Sequence, residues 1–254
     1  MPEGDIVELV RRIVGFNKKT NEWYYRFSDH EHYWKVYQGI VDEAVAPAKD
    51  IIHLGCGPLW FGKVATVPLD GKTIYAVDPD EAALARNPAP HHICAYGESI
   101  PLPDGCADVI AADHLLEHLE KPEAVLHEAH RLLRPGGRFV FTAPNLLSYS
   151  GLATHLTPHW FHTFYMGLLR SSAGSSNPKP YPTYFRMNTL WTVERIAKET
   201  GFRVDKLRTG VDHPSYTVLF PGVHQALMAL HLVLDKVEVL APFRITLTGS
   251  LVRE

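Results

Sequence analysis

The residues whose types and spacing suit chemistry fall into two groups. The first is Gly55-Cys56-Gly57, which closes the apolar run Asp50-Ile-Ile-His53-Leu54, together with Asp78, which closes a second run, Ile74-Tyr-Ala-Val77. Glycines at the end of a strand let the backbone approach a ligand closely. A carboxylate ending the next strand can receive both hydroxyls of a ribose, so the combination reads as a nucleoside-binding unit. An incidental Gly-x-Gly in a plain strand–turn–helix would explain the tripeptide alone but leaves Asp78 without a purpose. The second group is drawn from 15 histidines, three of them in His155-Leu-Thr-Pro-His159-Trp-Phe-His162. His159 and His162 share a face if that stretch is helical. An imidazole titrates near neutrality and can take a proton from a nucleophile. The same pair also admits a metal site with His155 or Asp113, or a polar interior. A metal would call for a further ligand at fixed spacing, and none is evident, so no metal is expected. Tyr181, Tyr184 and Arg186 can line a pocket, with Arg186 pairing a carboxylate or phosphate. A surface loop stiffened by Pro180 and Pro182 is the other reading.

These residues need elements to hold them. Residues 5–16 carry Ile6, Val7, Leu9, Val10, Ile13 and Val14 at helical spacing. The aromatic run from Trp23 to Phe27 leads to a second helix, capped by Ser28 or Asp29, which bears Tyr33, Trp34, Tyr37, Ile40 and Val41 and ends before Pro47. These aromatics are core, or they form a lid that sets Tyr25 over a bound molecule. From Asp50 strands and helices alternate, with strands at 50–55, 73–77, 91–95, 107–112 and 138–144 and helices at about 80–86 and 121–133. The second of these helices has Val125, Leu126, Ala129 and Leu132 on one face and is stopped by Pro135-Gly136-Gly137. Repeated βα units predict an α/β, doubly wound sheet whose ligands bind at the carboxyl ends of the strands. The stretch from Asn145 to Met187 reads as a long irregular connection of the kind that carries function. Asn188 caps a helix ended by Gly201, and a strand at 202–209 follows. An apolar helix over 222–238 has a stripe of Val223, Leu227, Leu230 and Leu234 that packs as core or as a homodimer face, and a last strand covers 244–252. The organisation is one domain, with residues 1–48 as a lid, 49–145 as the binding core, 146–187 as a substrate-side insertion and 188–254 as a C-terminal part.

Bulk properties narrow the function. A chain of 254 residues, 46% hydrophobic and 21% charged, has ample material for a core. A net charge of -3 gives no basis for a nucleic-acid groove. Three cysteines without C-x-x-C spacing argue against a disulfide framework and for a reducing cytoplasm. No apolar leader opens the sequence, and the longest apolar run, Ala226 to Leu234, is interrupted by His231, so no membrane partner is expected.

Taken in order, the motifs resemble the class I S-adenosylmethionine-dependent methyltransferases of the small-molecule type. His53-Leu-Gly55-Cys-Gly57-Pro-Leu59 is similar to the family's glycine signature, and Asp78 to its acid at the end of the second strand. Ala95-Tyr-Gly-Glu-Ser-Ile-Pro-Leu-Pro-Asp104 looks like its third motif. Ala107-Asp-Val-Ile110, Leu116-Glu-His118 and Arg131-Leu-Leu-Arg-Pro-Gly-Gly137 match the segments that follow. The resemblance implies a Rossmann-like, mostly parallel seven-stranded sheet with the last strand antiparallel, S-adenosylmethionine as cofactor, and in-line methyl transfer to a small-molecule acceptor at O, N or C. Carried over by position, Gly55, Cys56 and Gly57 lie under the methionine part and Asp78 holds the ribose. Pro79 follows the adenosine, and Tyr96, Gly97 and Glu98 flank the adenine. Asp113 and His114 face the methyl group, and His114, His159 or His162 removes the proton, with Tyr25, Tyr184 and Arg186 on the substrate side. His118 is a structural histidine, and His127 and His130 are solvated. The sequence departs from the family at His53, where an acid is usual and a neutral imidazole would accept from the cofactor's ammonium, at Leu59, the third glycine, and at Tyr96, the adenine-side acid. His53 and Leu59 support a second reading, a non-catalytic binding or regulatory subunit. A nicotinamide-dependent oxidoreductase comes third, because the third glycine of G-x-G-x-x-G is missing.

Overall fold

The computed structural model describes residues 32–157, 181–211 and 222–254, with positions 12, 13, 15–17, 22, 24, 217 and 220. Its elements are α1 (Tyr33–Val45), β1 (Asp50–Leu54), β2 (Thr73–Asp78), α2 (Glu81–Leu84), β3 (His91–Cys94), β4 (Ala107–Asp113), α3 (Pro122–Leu132), β5 (Leu133–Pro144), α4 (Tyr149–Leu156), α5 (Leu190–Glu199), β6 (Phe202–Gly210), α6 (Val223–Lys236) and β7 (Thr246–Arg253). Short 3-10 turns at Phe61–Lys63, Leu116–His118 and Glu238–Phe243 complete it. The strands form a single seven-stranded sheet in the order β3-β2-β1-β4-β5-β7-β6. β1 to β5 run parallel and β7 is antiparallel to both neighbours, as the resemblance implied.

Apolar runs buried on both faces make the central strands. Ile52, Leu54, Ile110, Ala112, Phe139 and Phe141 face one layer, where α3 presents Val125, Leu126, Ala129 and Leu132 and α5 presents Val193, Ile196 and Ala197. Ile51, Val109, Ala111 and Val140 face the other, under Tyr37, Ile40, Val41, Ala44 and Val45 of α1. The two sets alternate along each strand, as a pleated backbone requires. At the opposite end from the candidate site, Arg134 ties β1, β4 and β5 together, reaching Asp50 at 2.8 Å and Asp108 at 2.6 Å.

Several boundaries differ from expectation. α1 is capped by the His32 side chain, not by Ser28 or Asp29, because its Nδ1 accepts from the Trp34 amide at 3.1 Å. α5 is capped by Thr189, which forms a reciprocal pair with Thr192, while the expected cap Asn188 instead donates to the Pro144 carbonyl. α3 ends at Leu132 because Leu133 already turns extended, and β5 absorbs Pro135-Gly136-Gly137 rather than following them. The connection after β5 begins with a helix, α4, capped by Ser148. α6 packs with an unexpected face: His224, Met228, His231, Leu234 and Asp235 are buried, whereas Val223 and Leu230 of the expected stripe are exposed. Of the first expected helix only positions 12, 13, 15 and 16 are described, and they are helical. No helix among the described residues is long and apolar enough to cross a membrane.

Candidate functional site

The strand order reverses direction between β1 and β4, and in an open α/β sheet ligands bind in the crevice outside the carboxyl ends at such a point. Gly55 (φ 67°) and Gly57 (φ 47°) turn the chain there through the left-handed region that only glycine enters cheaply. The Gly57 amide donates to Asp78 Oδ2 at 2.7 Å, and the Asp80 amide to Asp78 Oδ1 at 2.8 Å. The Asp78 carboxylate thus locks the glycine turn to the end of β2 and keeps further lone pairs for hydroxyl donors. Asn87, which the sequence reading did not single out, braces the same turn by donating to the carbonyls of Gly57 at 2.9 Å and Leu59 at 2.8 Å. Nothing in the local pattern marks an Asn for that task. A Cβ on Gly57 would meet only Asp78 Oδ2, at 4.0 Å, so the backbone cradle is open above it. Cys56 is buried, and burial together with the charge of Asp78 pushes its thiol up to about 12, so it stays protonated and is no nucleophile.

Past β3, Tyr96 and Glu98 are exposed, and Gly97 lies against Val125, which a Cβ would approach to 3.3 Å. Pro79 follows Asp78, and its carbonyl accepts from Cys94 Sγ at 3.7 Å.

The end of β4 carries the other charged groups. Asp113 Oδ1 lies 2.8 Å from His53 Nε2, with the imidazole 1% and the carboxylate 10% exposed. An ionised carboxylate only accepts, so Nε2 bears the proton, and the imidazole sits behind Asp113 as its donor. His114 follows with φ 53°, a conformation disfavoured for a residue with a Cβ, and its amide donates to the Thr142 carbonyl at 2.8 Å. Its ring is 43% exposed and lies 3.8 Å from the carboxylate of Glu117, itself 7% exposed. Partial burial opposes the imidazolium, but contact with Glu117 and the charges of Glu117 and Asp113 outweigh it and raise the His114 pKa above its ordinary 6.5. Glu117 was likewise missed by the sequence reading. Its Oε1 also lies 3.8 Å from His118 Nε2, and its Oε2 is buried with no hydrogen-bond partner among the described residues.

A strap from Tyr181 to Arg186 crosses these strand ends. Tyr181 donates to Asp80 Oδ2 at 2.8 Å, and burial and Asp80 push its hydroxyl up to about 12, so it remains a donor. His118 Nδ1 donates to the Pro182 carbonyl at 2.7 Å, and the Tyr184 amide donates to the Glu117 carbonyl at 2.7 Å. Tyr184 and Arg186 are exposed and pair with each other, the guanidinium 5.9 Å from the ring centre. The ring of Tyr33 from α1 meets His114 edge-on at 6.1 Å. Tyr25, His159 and His162 lie outside the described residues. Among those described, no group of His, Cys, Asp and Glu could hold a metal. A surface depression of about 660 Å³ lined by Trp60, Thr66, Leu69, Lys72 and Ile74 opens near the start of β2 and touches none of these groups.

The profile of a family described as a methyltransferase domain matches residues 52–141. Residues 52–141 are thus similar to a methyltransferase domain. A probable S-adenosylmethionine-dependent methyltransferase of Mycobacterium tuberculosis is 32% identical over 143 residues, 53% of this chain and 51% of that protein. The chain therefore spans about half the length of the curated relatives it matches. The solved structure of an S-adenosylmethionine-dependent methyltransferase from Mesorhizobium loti shares the fold, with a TM-score of 0.54 and 19% identity over 89% of this chain and 99% of that one. A cyclase shares it equally well, with a TM-score of 0.54 and 15% identity over 87% of this chain and 81% of that one. The fold is thus shared by proteins of different chemistry, and the activity of this chain has to be argued from the site.

Proposed function

We propose that this protein transfers a methyl group from S-adenosylmethionine to a small-molecule acceptor. The observation that carries the reading is the Gly57 amide held on Asp78 at the β1/β4 switch point, a glycine cradle and a ribose-binding carboxylate in one rigid unit. These residues fit the cofactor: the cradle is open above Gly57, and both oxygens of Asp78 are oriented by backbone amides and can still accept from a diol.

In this reading Gly55, Cys56 and Gly57 support the methionyl end, and His53 with Asp113 lies beside its ammonium. Asp78 takes the ribose hydroxyls, Pro79 follows the adenosine, and Tyr96, Gly97 and Glu98 border the adenine. The cofactor, when bound, supplies a methyl group already activated on a sulfonium. The protein's task is to align a nucleophile and, for a hydroxyl or ammonium, to remove a proton. His114 serves as the base, held toward the crevice by its backbone amide and flanked by Glu117 and Asp113. His159 and His162 are the other candidates, and Tyr25, Tyr184 and Arg186 line the acceptor side. A cytoplasmic location and an acceptor other than nucleic acid go with this reading, supported by the net charge of -3 and by three cysteines free of disulfides.

Thermal-shift measurements test the cofactor. S-adenosylmethionine and S-adenosylhomocysteine raise the melting temperature and NAD leaves it unchanged; stabilisation by NAD alone refutes the reading. Turnover of S-adenosylmethionine with a panel of hydroxyl and amine acceptors then separates an enzyme from a binding subunit.

A further inference from the structure

We infer that the outward face of α6 docks on the same face of a second copy of this chain, the two helices packing antiparallel about a two-fold axis at Leu230.

α6 sits with its polarity reversed. His224, His231 and Asp235 are buried together with Met228 and Leu234. Val223, Leu230, Val233 and, at the C-cap, Val237 point outward and are between 38% and 53% exposed. Ala226 and Ala229 are exposed beside them, and Val239, just beyond the helix, is 81% exposed. Hydrogen bonds hold the helix in this orientation. His224 Nδ1 pairs with Thr217 Oγ1 at 3.1 Å, and Gln225 donates to Asn17 Oδ1 at 2.7 Å. At the other end the buried Arg244 guanidinium donates to the carbonyls of Leu234 at 2.9 Å and Asp235 at 3.1 Å. Rolling the helix to bury its apolar side would break these bonds. The apolar side therefore stays outward, as a surface made for contact.

The spacing of that surface identifies its partner. Val223, Leu230 and Val237 recur every seven residues, with Ala226 and Val233 three positions after the first two. This is the a/d seam of a coiled coil, a stripe that fits another helix with the same repeat. Read backwards, the stripe matches itself: Val223 falls opposite Val237, Ala226 opposite Val233, and Leu230 opposite Leu230. Self-complementarity of this kind is what a two-fold interface requires. Charge sets the direction. Lys236 is the exposed charged residue of α6, and a parallel pair would bring its two copies together. An antiparallel pair sets them at opposite ends of a helix of 14 residues, about 21 Å long, and lets the two macrodipoles attract. The size fits as well. The outward apolar side chains expose roughly 500 Å², near the upper limit for a patch left bare on a monomer and over half of the ~800 Å² each partner brings to a standard interface.

Sedimentation equilibrium and charge exchange at Leu230 test the interface. Wild type is expected to sediment as a dimer at micromolar concentration, with a melting temperature that rises with protein concentration. Leu230→Glu and Leu230→Lys each meet their own charge across the axis, which weakens self-association roughly thirtyfold or more. Mixing the two variants restores a dimer. Both keep the melting temperature of dilute wild type, because Leu230 is already exposed in the single chain. A wild-type monomer overturns the inference; if that monomer binds phosphatidylcholine vesicles, the face belongs to lipid. Variants that both melt lower than dilute wild type and form no dimer on mixing also overturn it, and assign the cover to this chain itself. A dimer that survives both substitutions overturns it by placing the contact elsewhere.

Discussion

The strand ends hold two half-sites built in opposite ways. On the β1–β3 side the glycine turn is closed locally: Gly57 and Asp78 are 21 residues apart, and backbone amides meet on a single carboxylate, with Tyr181 of the strap reaching Asp80 from outside. On the β4 side the groups are recruited from afar. His118 meets Pro182 across 64 residues and His53 meets Asp113 across 60, while the half-exposed ring of His114 faces the buried Glu117 carboxylate. A half-site of short-range, backbone-defined contacts is preorganised. One assembled through a strap and exposed side chains can be re-formed for different acceptors without disturbing the first.

The comparison can be broken by mutation, beginning where the effect is largest. Asp78→Ala removes the proposed acceptor of the ribose and the lock on the glycine turn. Charge-assisted hydrogen bonds are worth ~1.5–3 kcal/mol each, so S-adenosylhomocysteine affinity falls at least tenfold by calorimetry. Gly57→Ala meets no steric obstacle, but its φ of 47° is strained for alanine. It costs about 1–2 kcal/mol, read as a lower urea midpoint with unchanged slope.

Glu117→Gln probes the second half-site. The folded pKa of His114 lies above 6.5, so its contribution to stability is full below the unfolded value and lost as pH rises through the folded one. The glutamine variant lowers the His114 titration midpoint, followed by NMR of the imidazole carbon-bound protons, and flattens that loss of stability. An unmoved midpoint would mean that Glu117 does not act on His114. The smallest effect belongs to Tyr181→Phe, which removes an exposed hydrogen bond of about 0.5 kcal/mol and changes cofactor affinity less than threefold. If Tyr181→Phe cost as much as Asp78→Ala, the strap would belong to the cofactor half-site and the division drawn here would fail.

The same division governs what the sequence reveals. The glycine turn, Asp78 and the five parallel strands are legible because each is a local pattern: an apolar run, a turn residue, an acid at a strand end. Glu117 and Asn87 are not, since a buried carboxylate and a bracing amide look like any surface residue until distant chain arrives. α6 misleads for a related reason. Its apolar stripe predicts the buried face, yet His224, His231 and Asp235 turn inward, and periodicity registers only where the apolar residues lie. The caps fail by a few positions because neighbouring polar residues compete, Thr189 winning over Asn188 because Thr192 can return its hydrogen bond.

The order of strands has a consequence in time. β7 lies between β5 and β6, so β6 is translated before the strand that joins it to the sheet exists. During synthesis β6 and the helix α5 ahead of it must wait, while β1 to β5 can already assemble the half that holds the glycine turn and Asp78. Contacts this distant in sequence close slowly and leave an unpaired strand edge exposed meanwhile. A chaperone acting on the nascent chain would find its work at β5 and β6, on the side of the sheet away from the glycine turn.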